Sequence, residues 1–194
     1  LLTDILKNRA VLSEFKSHSD IYLEFGLKSD ESFEKCLNNH FGRNDLKLVE
    51  VLKESLKNGG IRDQTAAGKI SNIKSINLYF VTTLEDILLY KSSSTKKPEY
   101  SAKINNFASK SVQSEFSTSR MEQLNKLAEK VESFRRIRIS YETSEKTCAL
   151  YDFSRVFLKH YMNEKLLRGW LDFDDLILKA KDLLINPSIA AWVL

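Results

Sequence analysis

Glycine, proline and cysteine are scarce in this chain. Its 194 residues include only 6 Gly and 2 Pro, which disfavours many short strands with tight turns and favours long helices. The two cysteines, Cys36 and Cys148, lie far apart without CxxC spacing, so we expect no disulfide framework and no zinc site, as in a reducing cytoplasm. No apolar run is long enough for a transmembrane helix. The hydrophobic content of 42% suffices for one sizeable core.

Sequence patterns of catalysis are absent as well. There is no GxSxG, HExxH or carboxylate-rich nuclease pattern, and the three histidines are scattered at positions 18, 40 and 160. The Gly68-Lys69 pair in "TAAGKI" lacks the earlier glycine and the following Ser or Thr of a phosphate-binding loop, because Asp63 and Ile70 occupy those positions. We therefore predict no catalytic residue, metal ligand or cofactor site in this chain.

What is present is helical periodicity. Apolar spacing and polar caps predict helices over 1–16, 21–25, 29–42, 44–59, from about 63, over 102–116, and one or two long helices between 117 and 170. The clearest apolar stripes are Leu46, Val49, Leu52 and Leu56, then Met121, Leu124, Leu127, Val131 and Phe134. The predicted caps are Ser19 or Asp20, Ser29 or Asp30, and Asn44 or Asp45. "FVTTLEDILLY" has β-branched and aromatic residues that are compatible with a small β-hairpin near 78–91. We predict an all-α fold, an irregular helical domain with at most this one hairpin.

Positive charge is concentrated in the middle of the chain. The net charge is +4, but residues 91–140 contain 11 Lys and Arg against 5 Asp and Glu, while the remainder contains 19 against 21. Such a concentration is expected if one surface meets a polyanion. A solvated lysine-rich face is the alternative interpretation.

The segment "RGWLDFDDLILKAKDLL" begins at residue 168 and places three aspartates within four positions, Asp172, Asp174 and Asp175. They could be metal ligands or the cap of the apolar-periodic helix that follows. A carboxylate at the cap accepts the free N–H groups of the first turn, and further negative charge there meets the positive end of the helix dipole. We favour the capped helix, with Trp170 and Phe173 packed beneath the cap and a last helix beginning at Pro187.

Both ends of the chain are apolar and the first residue is not Met, so we expect a domain cut from a longer protein. "LRGWLDFDDLI" followed by "NPSIAAWVL" resembles the segment upstream of the Walker B motif in UvrD/Rep-like superfamily 1 DNA helicases. The closer similarity is to AddA-type double-strand break repair helicase-nucleases. "KNGGIRDQTAAGKI", "LYFVTT", "STKK" and "FLKHYMNEK" are similar to softer elements of that family. Trp170 departs from the pattern, which commonly has a smaller residue there.

The resemblance implies that residues 1–194 are a single helical 1B-like subdomain, an insertion in the first RecA-like motor domain. Residues 168–194 would then lead back toward that missing motor domain. The parent would use ATP and Mg²⁺ to move 3′→5′ on single-stranded DNA in the bacterial cytoplasm, at the nucleoid, with an AddB-like partner subunit. The fragment itself would contact DNA without sequence preference and would not hydrolyse ATP.

Phosphate contacts would come from basic residues of the positive segment. The candidates are Lys96, Lys97, Lys103, Lys110, Arg135, Arg136 and Arg138. Tyr100 and Phe107 could stack on bases, although burial in the core is the simpler expectation for Phe107. A helical scaffold that docks to a partner subunit is the alternative function, and a free-standing regulatory protein is a third.

Overall fold

The structure is a computed structural model that describes residues 1–14, 16–28, 31–92 and 99–185. The predicted fold class is confirmed: helices predominate, and the strands that are described form a small antiparallel sheet. The elements in chain order are α1 (Leu2–Lys7), α2 (Arg9–Leu12), α3 (His18–Glu24), α4 (Phe33–His40), α5 (Arg43–Lys57), α6 (Ile61–Ser71), α7 (Leu78–Leu88), β1 (Leu89–Lys91), β2 (Tyr100–Ala102), α8 (Lys110–Gln113), α9 (Thr118–Arg168) and α10 (Phe173–Ile185). No described helix combines the length and apolar content needed to cross a bilayer.

The chain divides into two compact units. Unit 1 consists of 1–16 and 147–194, and unit 2 consists of 17–146. The aspartate-rich motif belongs to unit 1, whereas the positively charged segment belongs to unit 2. Each unit is therefore described by itself below.

The core of unit 2 is helical and rich in aromatic residues. The predicted stripe from Met121 to Phe134, which lies in α9, is confirmed, since Leu124, Leu127, Val131 and Phe134 are all buried. The Phe41 ring packs edge-on against Phe134, with 5.2 Å between ring centroids. Offset and edge-on aromatic pairs of this kind add to the stabilisation from burial.

Helix α7 corrects the position of the predicted hairpin. Residues 78–88 are helical because Asn77 caps the first turn, its side chain accepting the Phe80 N–H at 3.0 Å. The apolar residues Phe80, Leu84 and Leu88 recur at helical spacing and are fully buried, which outweighs their preference for strands. A hairpin does form, but between β1 and β2, with Leu89 opposite Ala102.

The helix predicted over 102–116 is wrong for most of its length. Only α8 is helical there, and Asn105 has a positive φ of 53°, which no α-helix accommodates. Backbone N–H groups of this segment donate to side chains of α9 instead. Glu132 accepts the N–H of Ala102 at 2.8 Å, and Asn125 accepts that of Asn105 at 2.9 Å.

The predicted caps are displaced by a few residues. Ser17 rather than Ser19 caps α3, where it forms a reciprocal pair with Asp20. Ser32 caps α4, while Ser29 and Asp30 lie outside the described residues. The helix predicted over 1–16 is interrupted between α1 and α2, and the helix predicted at Pro187 lies outside the described residues.

Candidate nucleic-acid interface

Unit 2 brings several of the predicted DNA-contacting residues together beside the hairpin. A cleft of about 560 Å³ lies between the hairpin and α9, and we name it the hairpin cleft. Its aromatic and basic lining residues are Tyr90, Lys91, Tyr100, Arg135 and Arg136. The Arg135 guanidinium lies 3.5 Å from the centre of the Tyr100 ring. Stacking of this kind holds the arginine plane and leaves its edge able to donate hydrogen bonds.

Lys91 was missed by the sequence reasoning. It lies directly opposite Tyr100 in the hairpin, and its side chain is exposed. The correct strand register is what places it in the cleft. Placing the hairpin over 89–102 rather than 78–91 would have found it, because cross-strand partners lie side by side.

A buried carboxylate balances two of the predicted arginines. Glu85 on α7 is 5% exposed and accepts hydrogen bonds from Arg135 and Arg138. Arg138 donates from Nε at 2.7 Å and from Nη2 at 3.0 Å. The hydrogen bond to Glu85 raises the pKa of Arg138, against the opposing effect of burial. Arg136, one helix position away from Arg135, is exposed and has no ion-pair partner among the described residues.

Lys103 is turned away from the solvent. It is 7% exposed, and its Nζ donates to the Ile87 carbonyl oxygen at 2.7 Å. The same ammonium lies 5.6 Å from the centre of the Tyr90 ring. Burial lowers the pKa of Lys103, and the positive charge of Arg62 lowers it further. Lys103 is therefore placed beneath the surface, and an extended DNA backbone running over that surface would not reach it.

The remaining candidates are divided between core and surface. Phe107 is buried in the core, as the simpler expectation had it, and is not available for base stacking. Lys110 at the start of α8 is exposed. Lys96 and Lys97 lie outside the described residues.

The aspartate-rich motif in unit 1 forms the predicted helix cap. Asp172 and Asp175 cap α10 reciprocally: the Asp175 N–H donates to Oδ1 of Asp172 at 2.9 Å, and the Asp172 N–H donates to Oδ2 of Asp175 at 3.0 Å. This is the capping-box geometry with aspartate at both positions. Asp174 follows in the first turn and is largely exposed.

Two cations that the sequence reasoning did not connect to the motif neutralise these carboxylates. Arg9 makes a bidentate contact with Asp172 at 2.8 and 2.9 Å and reaches Asp175 at 3.0 Å. Lys165 donates to Asp172 at 2.7 Å and also to Asp175. We call these four residues the unit 1 ion cluster.

The charges of the unit 1 ion cluster shift one another's protonation. The Arg9 hydrogen bond, helped by Lys165, holds the pKa of Asp172 far below its usual range. Burial acts to raise the pKa of Asp175, yet the hydrogen bonds from Lys165 and from the Asp172 backbone bring it below its ordinary value. All four groups are therefore charged at neutral pH. Their ion pairs connect α2, α9 and α10.

The predicted packing of Trp170 and Phe173 beneath the cap is wrong. Phe173 is 84% exposed, and Trp170 is exposed with the Arg168 guanidinium 4.9 Å from its ring centre. The long side chains of Arg9 and Lys165 fill the place beneath the cap instead. Both side chains are buried, and their charged ends meet the aspartates.

The Gly68-Lys69 pair does not form a phosphate-binding loop. Gly68 and Lys69 lie inside α6, where their backbone N–H groups are used by the helix and cannot wrap a phosphate. Within the described ranges no group of three or more His, Cys, Asp and Glu side chains is arranged to hold a metal ion.

No protein-family model, curated protein sequence or solved structure matches this chain.

Proposed function

We propose that this chain is the DNA-contacting 1B-like insertion of a UvrD/Rep-like superfamily 1 helicase, of the AddA helicase-nuclease type. The parent would require ATP and Mg²⁺, would act in recombinational double-strand break repair with an AddB-like subunit, and would work at the bacterial nucleoid. The insertion would grip DNA without reading its sequence and without catalysing a step. The rest of the parent chain would supply the motor and any nuclease activity.

The hairpin cleft is the observation that carries this proposal. It combines the side chains that a sequence-independent single-strand site uses, namely cations for phosphates and aromatic faces for bases. Tyr90 is 41% exposed, so a base can reach its ring. Lys91 and Arg136 provide charges that no described carboxylate pairs with. The stacked pair of Arg135 and Tyr100 lines one side of the hairpin cleft.

Reversing the two unpaired charges should weaken the binding of DNA. In the double variant Lys91→Glu/Arg136→Glu we expect single-stranded DNA to bind about tenfold more weakly at low salt, because two phosphate contacts become repulsive. The slope of log affinity against log salt should fall by about 2. Fluorescence anisotropy of a labelled, unphosphorylated oligonucleotide over a range of salt concentrations measures both quantities.

The matched control is Lys74→Glu, which reverses the charge of an exposed lysine of unit 2 that lines neither the hairpin cleft nor the cleft described below. It should leave affinity and slope nearly unchanged. A loss in log affinity about half that of the double variant would mean that net charge alone attracts DNA, because the control removes half as much positive charge. Unchanged binding in the double variant would remove the hairpin cleft as the contact surface.

The alternative, a scaffold that docks to a partner subunit, is favoured by a different observation. Around the end of α9 and the first turns of α10, large apolar side chains are exposed to an extent unusual for a free surface: Leu166, Leu167, Trp170, Leu171, Phe173, Leu176 and Ile177. An apolar surface of this kind is suited to a protein partner and unsuited to phosphates.

Removing apolar side chains from that surface should reduce the binding of an apolar reporter dye. We expect the isolated chain to bind an apolar reporter dye, and Phe173→Ser/Ile177→Ser to bind at most half as much. Leu23→Ser, which changes one exposed leucine of unit 2, is the control and should have little effect. Dye binding that is equal in all three proteins would show that this surface is not accessible.

A further inference from the structure

Unit 2 contains a second cleft, which is separate from the hairpin cleft. It measures about 640 Å³ and lies among the start of α6, the end of α7 and the segment that precedes α8. We name it the α6 cleft. Its charged lining residues are Arg62, Asp63, Lys69, Asp86, Lys103 and Lys110.

The carboxylates of the α6 cleft are already engaged. Asp63 is buried and accepts the backbone N–H of Ser109 at 3.2 Å. Asp86 forms an ion pair with Lys69 at 3.2 Å. The charge of Asp86 acts to raise the pKa of Lys103, but neither carboxylate forms an ion pair with Lys103, Arg62 or Lys110 among the described residues.

Three cations of the α6 cleft make no ion pair with a described carboxylate. Arg62 and Lys110 are exposed, and neither makes an ion pair with a described residue. Lys103 is buried, and a carbonyl oxygen rather than a carboxylate accepts from it. The cleft thus carries more positive charge than its own side chains balance.

Among the lining residues, Lys103 gives the strongest evidence that the α6 cleft binds a ligand. An ammonium group has three N–H donors, and the only acceptor that the described residues offer its Nζ is the Ile87 carbonyl oxygen. A buried cation without a counter-ion is costly, and Arg62 increases that cost through like-charge repulsion. An anion in the cleft would accept the spare donors and relieve the repulsion.

We propose that the α6 cleft binds the dianionic phosphate of a phosphate monoester, held by Lys103, Arg62 and Lys110. A monoester fits better than a backbone diester, because its charge of up to −2 matches the net charge of +2 that four cations and two carboxylates give the cleft. A monoester also projects from the end of a molecule into a recess. Arg62 suits the phosphate oxygens through its planar fork, and the two lysines act as point charges.

The phosphate monoester could come from two sources, a 5′-phosphorylated DNA end or a small phosphorylated molecule. The assignment to a DNA end rests on the proposed function, whereas the phosphate site itself does not. Both sources present the same group to the cleft, so they are separated by experiment.

The test compares two short single-stranded oligonucleotides of one sequence, with and without a 5′-phosphate, by fluorescence anisotropy with the label at the 3′ end. We expect the phosphorylated strand to bind about tenfold more tightly, the effect of one charge-assisted hydrogen bond. Lys103→Met and Arg62→Gln should each abolish that difference while leaving the unphosphorylated strand unaffected. Lys74→Met is the control and should preserve the difference.

Inorganic phosphate supplies the second arm, titrated by calorimetry against the wild-type chain and Lys103→Met. If phosphate binds the wild type and not the variant while the two oligonucleotides bind alike, the site takes its monoester from a small molecule. If neither the 5′-phosphate nor inorganic phosphate binds in a manner that depends on Lys103 and Arg62, the proposal is overturned.

Failure of this site is distinguishable from failure of the proposed function. The proposed function fails when Lys91→Glu/Arg136→Glu leaves unphosphorylated DNA bound as before. The phosphate site fails when neither the 5′-phosphate nor inorganic phosphate binds in a manner that depends on Lys103 and Arg62. Arg62 is exposed, so Arg62→Gln keeps the test informative even if Lys103→Met perturbs packing.

Discussion

Replacing Arg9 by Met is expected to lower the free energy of unfolding of unit 1 by about 3 kcal/mol, the cost of breaking a buried ion pair from one side. Arg9 is 8% exposed and holds both Asp172 and Asp175. Met retains most of the volume of the arginine stem but none of its charge. Lys165 would then face two carboxylates alone, one of which is buried.

Urea unfolding followed by the fluorescence of Trp170 measures this loss, because that tryptophan lies in unit 1 between α9 and α10. The control is Arg155→Met, which removes an exposed arginine that pairs with Asp152 at 2.9 Å in the same unit. An exposed pair contributes little, so the control should unfold close to the wild type. If both variants lose the same stability, the burial of the ion cluster has no energetic consequence.

The pH dependence of unfolding should identify Asp172 as the titrating group. Its folded-state pKa lies far below its usual range because of Arg9, whereas in the unfolded chain it is about 3.9. Its contribution to stability is therefore complete above that unfolded value and is lost as the pH falls below it. We expect Asp172→Asn and Arg9→Met to show a shallower acid-side loss of stability than the wild type between about pH 5 and 3.

Replacing Glu85 by Gln should lower the free energy of unfolding of unit 2 by about 3 kcal/mol, because it removes the carboxylate of a buried ion pair where Arg9→Met removes the cation. Glu85 is the buried carboxylate that serves both Arg135 and Arg138, and an amide of the same size cannot neutralise them. Arg135 would lose its counter-charge, and Arg138 would keep only the exposed carboxylate of Glu142. Urea unfolding followed by helical circular dichroism measures the loss.

Glu142→Gln is the matched control for Glu85→Gln. Glu142 also accepts from Arg138, at 3.0 Å, but it is half exposed and shares its charge with Lys146 on the surface of α9. Its removal should have a much smaller effect on unfolding. A larger loss from Glu142→Gln than from Glu85→Gln would contradict the assigned role of burial.

The same Glu85 variant tests whether Arg135 and Arg138 can serve DNA. If these arginines reach phosphates when released from Glu85, DNA affinity and its salt dependence should both rise in Glu85→Gln despite the lower stability. If they are structural only, affinity should stay level while stability falls. Anisotropy at a temperature where the variant is folded separates the two outcomes.

The sequence by itself determined features that depend on neighbours along the chain. Few glycines and prolines, together with apolar spacing, predicted the helical class and the buried stripe of α9, because a helix face is made by residues three and four apart. The cap formed by Asp172 and Asp175 was predictable for the same reason, since its partners are three residues apart. These interactions need no knowledge of the rest of the fold.

Only the tertiary structure decided which distant groups meet. Arg9 reaches Asp172 across 163 positions, and Glu85 takes two of the arginines that composition alone assigned to DNA. Burial turned the β-prone residues of α7 into a helix and hid Lys103, while strand register brought Lys91 beside Tyr100. Composition counts the charges along a chain. Whether those charges are neutralised or exposed depends on which surfaces folding brings into contact, and local sequence carries little information about the pairing of surfaces.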